Sequence, residues 1–224
     1  MPKRNLLTTS ISLSAILALV LVCLVTTART PASYAAAQQY SLVGKWGSRG
    51  SGEGKFSQPL DIVIDSSGNV YVTDFTGVAN QIQKFTTNGT FITSWGHLGF
   101  GNGQFTNPAG IAIDSSGNVY VGDFGENNRI QKFDNKGNFV TKWGTPGTGN
   151  GQFINPAHIS IDKAGNLYVV DAGNDRIQKF DSNGNFITKW SVGSPTGIAI
   201  DQNGKAYVIN QNTGGVEIYS LVSS

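Results

Sequence analysis

Cysteine, histidine and charge are scarce in this chain, and each scarcity removes a class of function. The one cysteine, Cys23, lies in an apolar stretch near the N-terminus, so the remainder holds no thiol chemistry and no disulfide, and its stability has to come from packing. Only His97 and His158 are present, too few for a zinc site built on three histidines. The recurring D-S-S-G-N string lacks the alternating carboxylates of a calcium loop, and neither a G-x-S-x-G elbow nor a phosphate-cradling glycine motif occurs. Hydrolase, lyase and oxidoreductase chemistry is thereby disfavoured, no cofactor is implied, and no catalytic or metal set can be assembled.

Long apolar runs are also missing, with one exception. Residues 1–37 carry Lys3 and Arg4, then an apolar stretch from about Ile11 to Val25, then small residues ending Ala35-Ala36-Ala37, the three regions of an export signal. Cleavage after Ala37 leaves a single domain over 38–224 and a secreted or extracytoplasmic protein. The apolar stretch is near the lower limit for spanning a bilayer, so an uncleaved membrane anchor stays open. Once Lys3, Arg4 and Arg29 leave with the signal, 13 basic residues face 14 acidic ones. A chain this near neutrality lacks the basic excess by which nucleic-acid binders neutralise phosphates, so no nucleic-acid partner is expected.

What is present in quantity is repetition. Pro59, Pro108, Pro156 and Pro195 stand 49, 48 and 39 residues apart, each followed six residues later by an aspartate: Asp65, Asp114, Asp162 and Asp201. Tyr71, Tyr120, Tyr168 and Tyr207 keep the same register, as do Phe85, Phe133, Phe180 and Tyr219. Within one unit the runs 110–114, 118–123, 129–134 and 138–144 are short, rich in Val, Ile, Phe, Tyr and Trp, and separated by S-S-G and N-K-G turns, which predicts four antiparallel strands. Inner runs this uniformly apolar must be covered on both faces, and radial stacking of the units does that. The fold class is all-β, a propeller of four four-stranded blades.

The string P-x-G-I-A-x-D-x-x-G-N-V-Y-V-x-D, continued by N-x-R-I-Q-K-F-D-x-x-G-N-F over 108–139, resembles the NHL repeat. The resemblance runs from about Leu42 to Tyr219 and implies a propeller, commonly of six blades in that family, where this chain has four units. Ser41–Gly47 (SLVGKWG) matches a fourth strand yet precedes the first complete unit, while the last unit ends without one. The expectation is a monomeric ring closed by residues 41–47 completing the last blade, which would hide two unpaired edges; the rival is an open arc that dimerises.

Because the scaffold is copied, candidate function lies where the copies differ. At one inner-strand position the four units read Asp61, Gly110, His158 and Gly197, which in a closed ring of four would set Asp61 opposite His158 at the mouth of the axis, with glycines leaving room for a ligand. Drift at a tolerant loop position is the plainer explanation of the same residues. Trp46, Trp95, Trp143 and Trp190 share one strand position and are expected to pack blade on blade, and Arg129 and Arg176 to bridge to Asp123 and Asp171. Phe56, Phe105 and Phe153 should plug a long loop onto each blade; the fourth unit omits that loop, which predicts a notch. The function expected is a non-enzymatic binding or scaffold module that presents loops and an axial mouth to a protein, peptide or glycan. The alternative is a metal-dependent propeller enzyme of lyase or lactonase type.

Overall fold

The computed structural model describes residues 41–75 and 80–221, so the export segment and the boundary at 38 lie outside the described residues. The chain divides into Met1–Val43 and Gly44–Ser224; the second unit is the propeller. A short parallel pair, β1 (Ser48–Arg49) and β2 (Lys55–Phe56), precedes the first blade. Blade 1 comprises β3 (Pro59–Ile64), β4 (Val70–Asp74), β5 (Gln81–Phe85) and β6 (Phe91–Trp95). Blade 2 comprises β7 (Pro108–Ile113), β8 (Val119–Asp123), β9 (Arg129–Phe133) and β10 (Phe139–Trp143). In blade 3, β11 (Pro156–Ile161), β12 (Leu167–Asp171), β13 (Arg176–Phe180) and β14 (Phe186–Ser191) follow, with a 3-10 turn at Ala172–Asn174. Blade 4 has β15 (Pro195–Ile200), β16 (Ala206–Asn210) and β17 (Gly215–Tyr219). Each blade is an antiparallel meander, with strand ends in blade 2 within a residue or two of those expected.

Local chemistry sets the meander. In the turn after β7, Asp114 Oδ1 accepts the amides of Ser116 and Asn118, both at 2.9 Å, while Oδ2 accepts the Asn118 side chain at 2.8 Å and the Tyr120 hydroxyl at 2.9 Å. Gly117 takes φ 83°, a left-handed conformation that a side chain would disfavour. Asp65 and Asp162 repeat the arrangement, down to the bond from Tyr71 or Tyr168. One carboxylate thus closes a turn and pins the next strand's tyrosine under the blade.

The core lies between blades rather than within them. Tyr71 and Ile82 of blade 1 meet Ile111, Val119, Val121 and Phe133 of blade 2. Ala112, Tyr120 and Ile130 then meet Ile159, Leu167, Val169 and Phe180, and Tyr168, Val170 and Ile177 meet Ile198, Ala206 and Val208. Inner strands pack in succession, β3 on β7, β7 on β11 and β11 on β15. The tryptophans seal these seams: Trp95, Trp143 and Trp190 lie 5.9, 6.0 and 5.7 Å from Phe133, Phe180 and Tyr219 of the following blade.

The expected closure does not form. The sheet of β15, β16 and β17 has three strands among the described residues, residues 41–47 are not a strand, and no packing like that of the successive inner strands joins β15 to β3. The reason is visible at Trp46, which stacks on Phe85 at 4.5 Å and lies over Gly89, as Trp95 lies over Gly137 in the next seam. Each tryptophan packs forward onto the blade that follows it, and Trp46 has taken that place on blade 1, away from β17.

Candidate functional site

At the inner-strand position where the units differ, the side chains meet neighbouring blades. Asp61 Oδ1 accepts its neighbour Ile62 N at 2.9 Å, and Oδ2 accepts Ile111 N of blade 2 at 3.0 Å. The β7 register is irregular between Pro108 and Ile111, and that amide is the group the carboxylate satisfies. Gly110 packs directly on the His158 backbone: a Cβ there would stand 2.6 Å from His158 Cα. Gly197 is near Ile209 of its own sheet. Among the described residues no hydrogen bond or ion pair joins Asp61 to His158, whose Nδ1 is buried without a partner.

The long connections between blades are built with more polar detail. Arg176, nearly buried, donates from Nε to Asp171 Oδ2 at 2.6 Å, from Nη1 to Thr148 O at 2.6 Å, and from Nη2 to Gly149 O and Gln152 O at 2.8 and 2.7 Å. Arg129 does the same with Asp123, Phe100 O, Gly101 O and Gln104 O. Burial pushes the Asp123 carboxyl up, opposed by the amides of Asn107 and Thr106 and by Arg129. Both arginines are therefore loop anchors bridging to the expected aspartates. Phe105 and Phe153 are fully buried beneath these loops, 5.7 and 5.6 Å from Phe133 and Phe180, as expected of plugs.

Sequence reasoning missed the glutamines. Gln131 accepts Gly103 N at 3.0 Å and donates to Gln104 O at 2.7 Å, and Gln83 and Gln178 hold Gly54 and Gly151 in the same way. It also missed Asn80, Asn128 and Asp175, each of which reaches the entry of the next blade, at Thr106 O, Asn155 N and Ser194 N. The signal was available: blade 4 lacks the long connection, and there Gly215 and Glu217 replace the arginine and the glutamine.

Beside the intact connection before blade 3, a cavity of about 350 Å³ opens at the end of β14, lined by Thr148, Asn174, Arg176, Lys189, Trp190 and Ser191. Its chemistry is mixed: a cation on exposed Lys189, hydroxyls, an amide and the edge of an indole.

A family model described as the NHL repeat matches residues 56–85, and one described as a six-bladed β-propeller matches residues 119–207. The chain carries an NHL repeat on a β-propeller fold. Among solved structures this NHL propeller is similar to a catalytically inactive virginiamycin B lyase from Staphylococcus aureus with quinupristin, at 18% identity and a TM-score of 0.55, over 74% of this chain and 56% of the other. A streptogramin B lyase aligns at 22% identity with a TM-score of 0.51, over 74% and 55%. A nidogen/laminin complex aligns at 20% identity with a TM-score of 0.54, over 73% and 59%. The NHL propeller spans little over half the length of these chains, and at such identities the likeness is one of fold. A search among curated proteins gave no match.

Proposed function

We propose that this NHL propeller is a non-enzymatic binding module, exported by its N-terminal segment, that presents its loop face and axial mouth to a protein, peptide or glycan. The observation that carries the reading is the notch at the end of β14, an open wall where Lys189, Trp190 and Ser191 stand beside Asn174 and Arg176, which hold the connection before blade 3. A cation beside small polar groups and the edge of an indole suits a polar sugar or a peptide side chain. The nidogen/laminin structure supports a recognition role for the same fold.

The test is capture from the organism's own surface polysaccharide and surface-protein fractions by the immobilised protein. Lys189→Glu and the notch-filling Ser191→Trp should each reduce capture at least about tenfold, the weight of one well-placed contact. Capture equal to wild type with both variants contradicts the notch as the binding surface. His158→Ala probes the axial mouth in the same assay.

The likeness to the two lyases favours the alternative, a metal-dependent enzyme holding its ion at Asp61 and His158. Asp61 is already engaged by two amides, and among the described residues no three His, Cys, Asp or Glu side chains come together. Stoichiometric, tightly held metal in the purified protein would favour the enzyme.

A further inference from the structure

The two flanks at the ends of the blade stack are uncovered where the equivalent flanks inside the stack are buried. On the leading flank of blade 1, Ile62 is 59% exposed, while its equivalents Ile111, Ile159 and Ile198 are 3, 3 and 5% exposed. On the trailing flank of blade 4, Val216 is 62% exposed, while its equivalents Ile82, Ile130 and Ile177 are fully buried. At every internal seam a trailing flank of the second kind closes a leading flank of the first, with tyrosine, isoleucine and tryptophan meeting isoleucine, valine and phenylalanine. Lys84, Lys132 and Lys179 sit over the tyrosine rings at 4.8, 5.1 and 4.7 Å on the first three blades; on blade 4 the equivalent residue is Ile218, 62% exposed. The last flank is thus more apolar than those already covered, and isolated exposure does not account for a patch complementary to another on the same molecule.

Two gaps accompany the flanks. Beside Tyr219 a cavity of about 200 Å³, walled by Trp190, Ala206, Tyr219 and Leu221, lies where blades 1 to 3 place Phe91, Phe139 and Phe186 of their fourth strands. Against blade 1 a second cavity of about 440 Å³ is walled by Trp46, Phe56, Leu60, Ile62 and Val72. Residues 41–47 have the sequence of a fourth strand, and in that register Leu42, 84% exposed, is the counterpart of Phe139. Trp46 already stands on blade 1 as the tryptophan of a preceding blade would.

We infer that a second copy of this chain docks head to tail, residues 41–47 of one copy adding to the open edge of β17 in the other, so that blade 4 of one copy stacks on blade 1 of its partner. Leu42 then fills the cavity beside Tyr219, and Trp46 keeps its place on its own Phe85, its strand belonging to one blade and its indole to the next, as at every internal seam. The contact is heterologous, and it closes into a ring if the rotation allows. Two arcs of four blades make eight, within the range in which propellers close, so two copies are expected. The docking surface is separate from the notch and stands or falls independently of the binding role.

Light scattering at micromolar concentration on the protein expressed as the full chain tests this, with Ile62→Lys and Val216→Lys as variants. Both side chains are more than half exposed in one copy, so each variant should keep the wild-type circular dichroism. Each buries an unpaired charge in the joint and should weaken association on the order of a hundredfold or more. Wild type should have the mass of two chains and each variant that of one. An equimolar mixture of the variants should return to two, because one joint then pairs the intact flank of each. A wild type of single-chain mass, an assembly that survives either variant, or a mixture that stays monomeric overturns the inference.

Discussion

Asp114 shows how much of this fold rests on single side chains. Burial alone would raise its carboxyl, but the hydrogen bonds from Asn118, Tyr120 and Ser116 outweigh that and hold it below the ordinary carboxylate range. Asp65 and Asp162 have the same balance, with burial again the largest single influence. A carboxyl whose pKa is depressed by folding stabilises the protein above the unfolded value, near pH 4, and that contribution is lost as pH falls through the folded value. The melting temperature should therefore decline on acidification below about pH 4; a melting temperature flat down to pH 2 contradicts the role given to these turns. Asp114→Ala removes four hydrogen bonds and should cost about 2 kcal/mol in urea denaturation. These aspartates and their tyrosines were legible in the sequence because their partners lie two to six residues away. The inter-blade bond of Asp61 was not: its second oxygen accepts Ile111 N, fifty residues on, a contact only the seam creates.

Among the elements, the strands were readable from alternating turns and apolar runs, and the tryptophan seam from the recurrence of one residue at one register. Trp143, edge-on to Tyr120 at 6.3 Å and 6.0 Å from Phe180, joins two blades, and Trp143→Ala should cost about 3–5 kcal/mol through the cavity it leaves. Measured destabilisation under about 1 kcal/mol would place the indole outside the core. The long connections depend on a different device. Arg176→Ala leaves Asp171 buried without its cation and withdraws one donor from each of three carbonyls, and should cost about 3 kcal/mol or more while opening residues 144–155 to proteolysis. Arg129→Ala should open 96–107 instead; cleavage unchanged in both variants contradicts the anchoring. The arginines' aspartate partners were expected, but the glutamine and asparagine clamps escaped notice because a polar residue on a strand looks the same whether it faces water or a loop folded back on it.

For the whole molecule the propeller was legible, and the closure was not. A segment can reveal that it is a fourth strand without revealing which blade it completes, since that depends on how far three seams turn the stack, a sum of packing contacts no local string encodes. The outcome is a stack whose middle blades are covered on both flanks and whose end blades are covered on one: β8 and β12 are buried throughout, while β3 and β17 expose Ile62, Ile64, Val216 and Ile218. Local opening should follow that gradient, because strands with fewer buried contacts open at lower free energy. The most direct measurement is hydrogen exchange of the backbone amides in the Val216→Lys variant, in which the joint between copies is expected to be absent. The account predicts slowest exchange in β8 and β12 and fast exchange in β3 and β17, with those two strands regaining protection in the wild type. Equal protection of all four blades in the variant, the pattern of a ring closed within one chain, would contradict it.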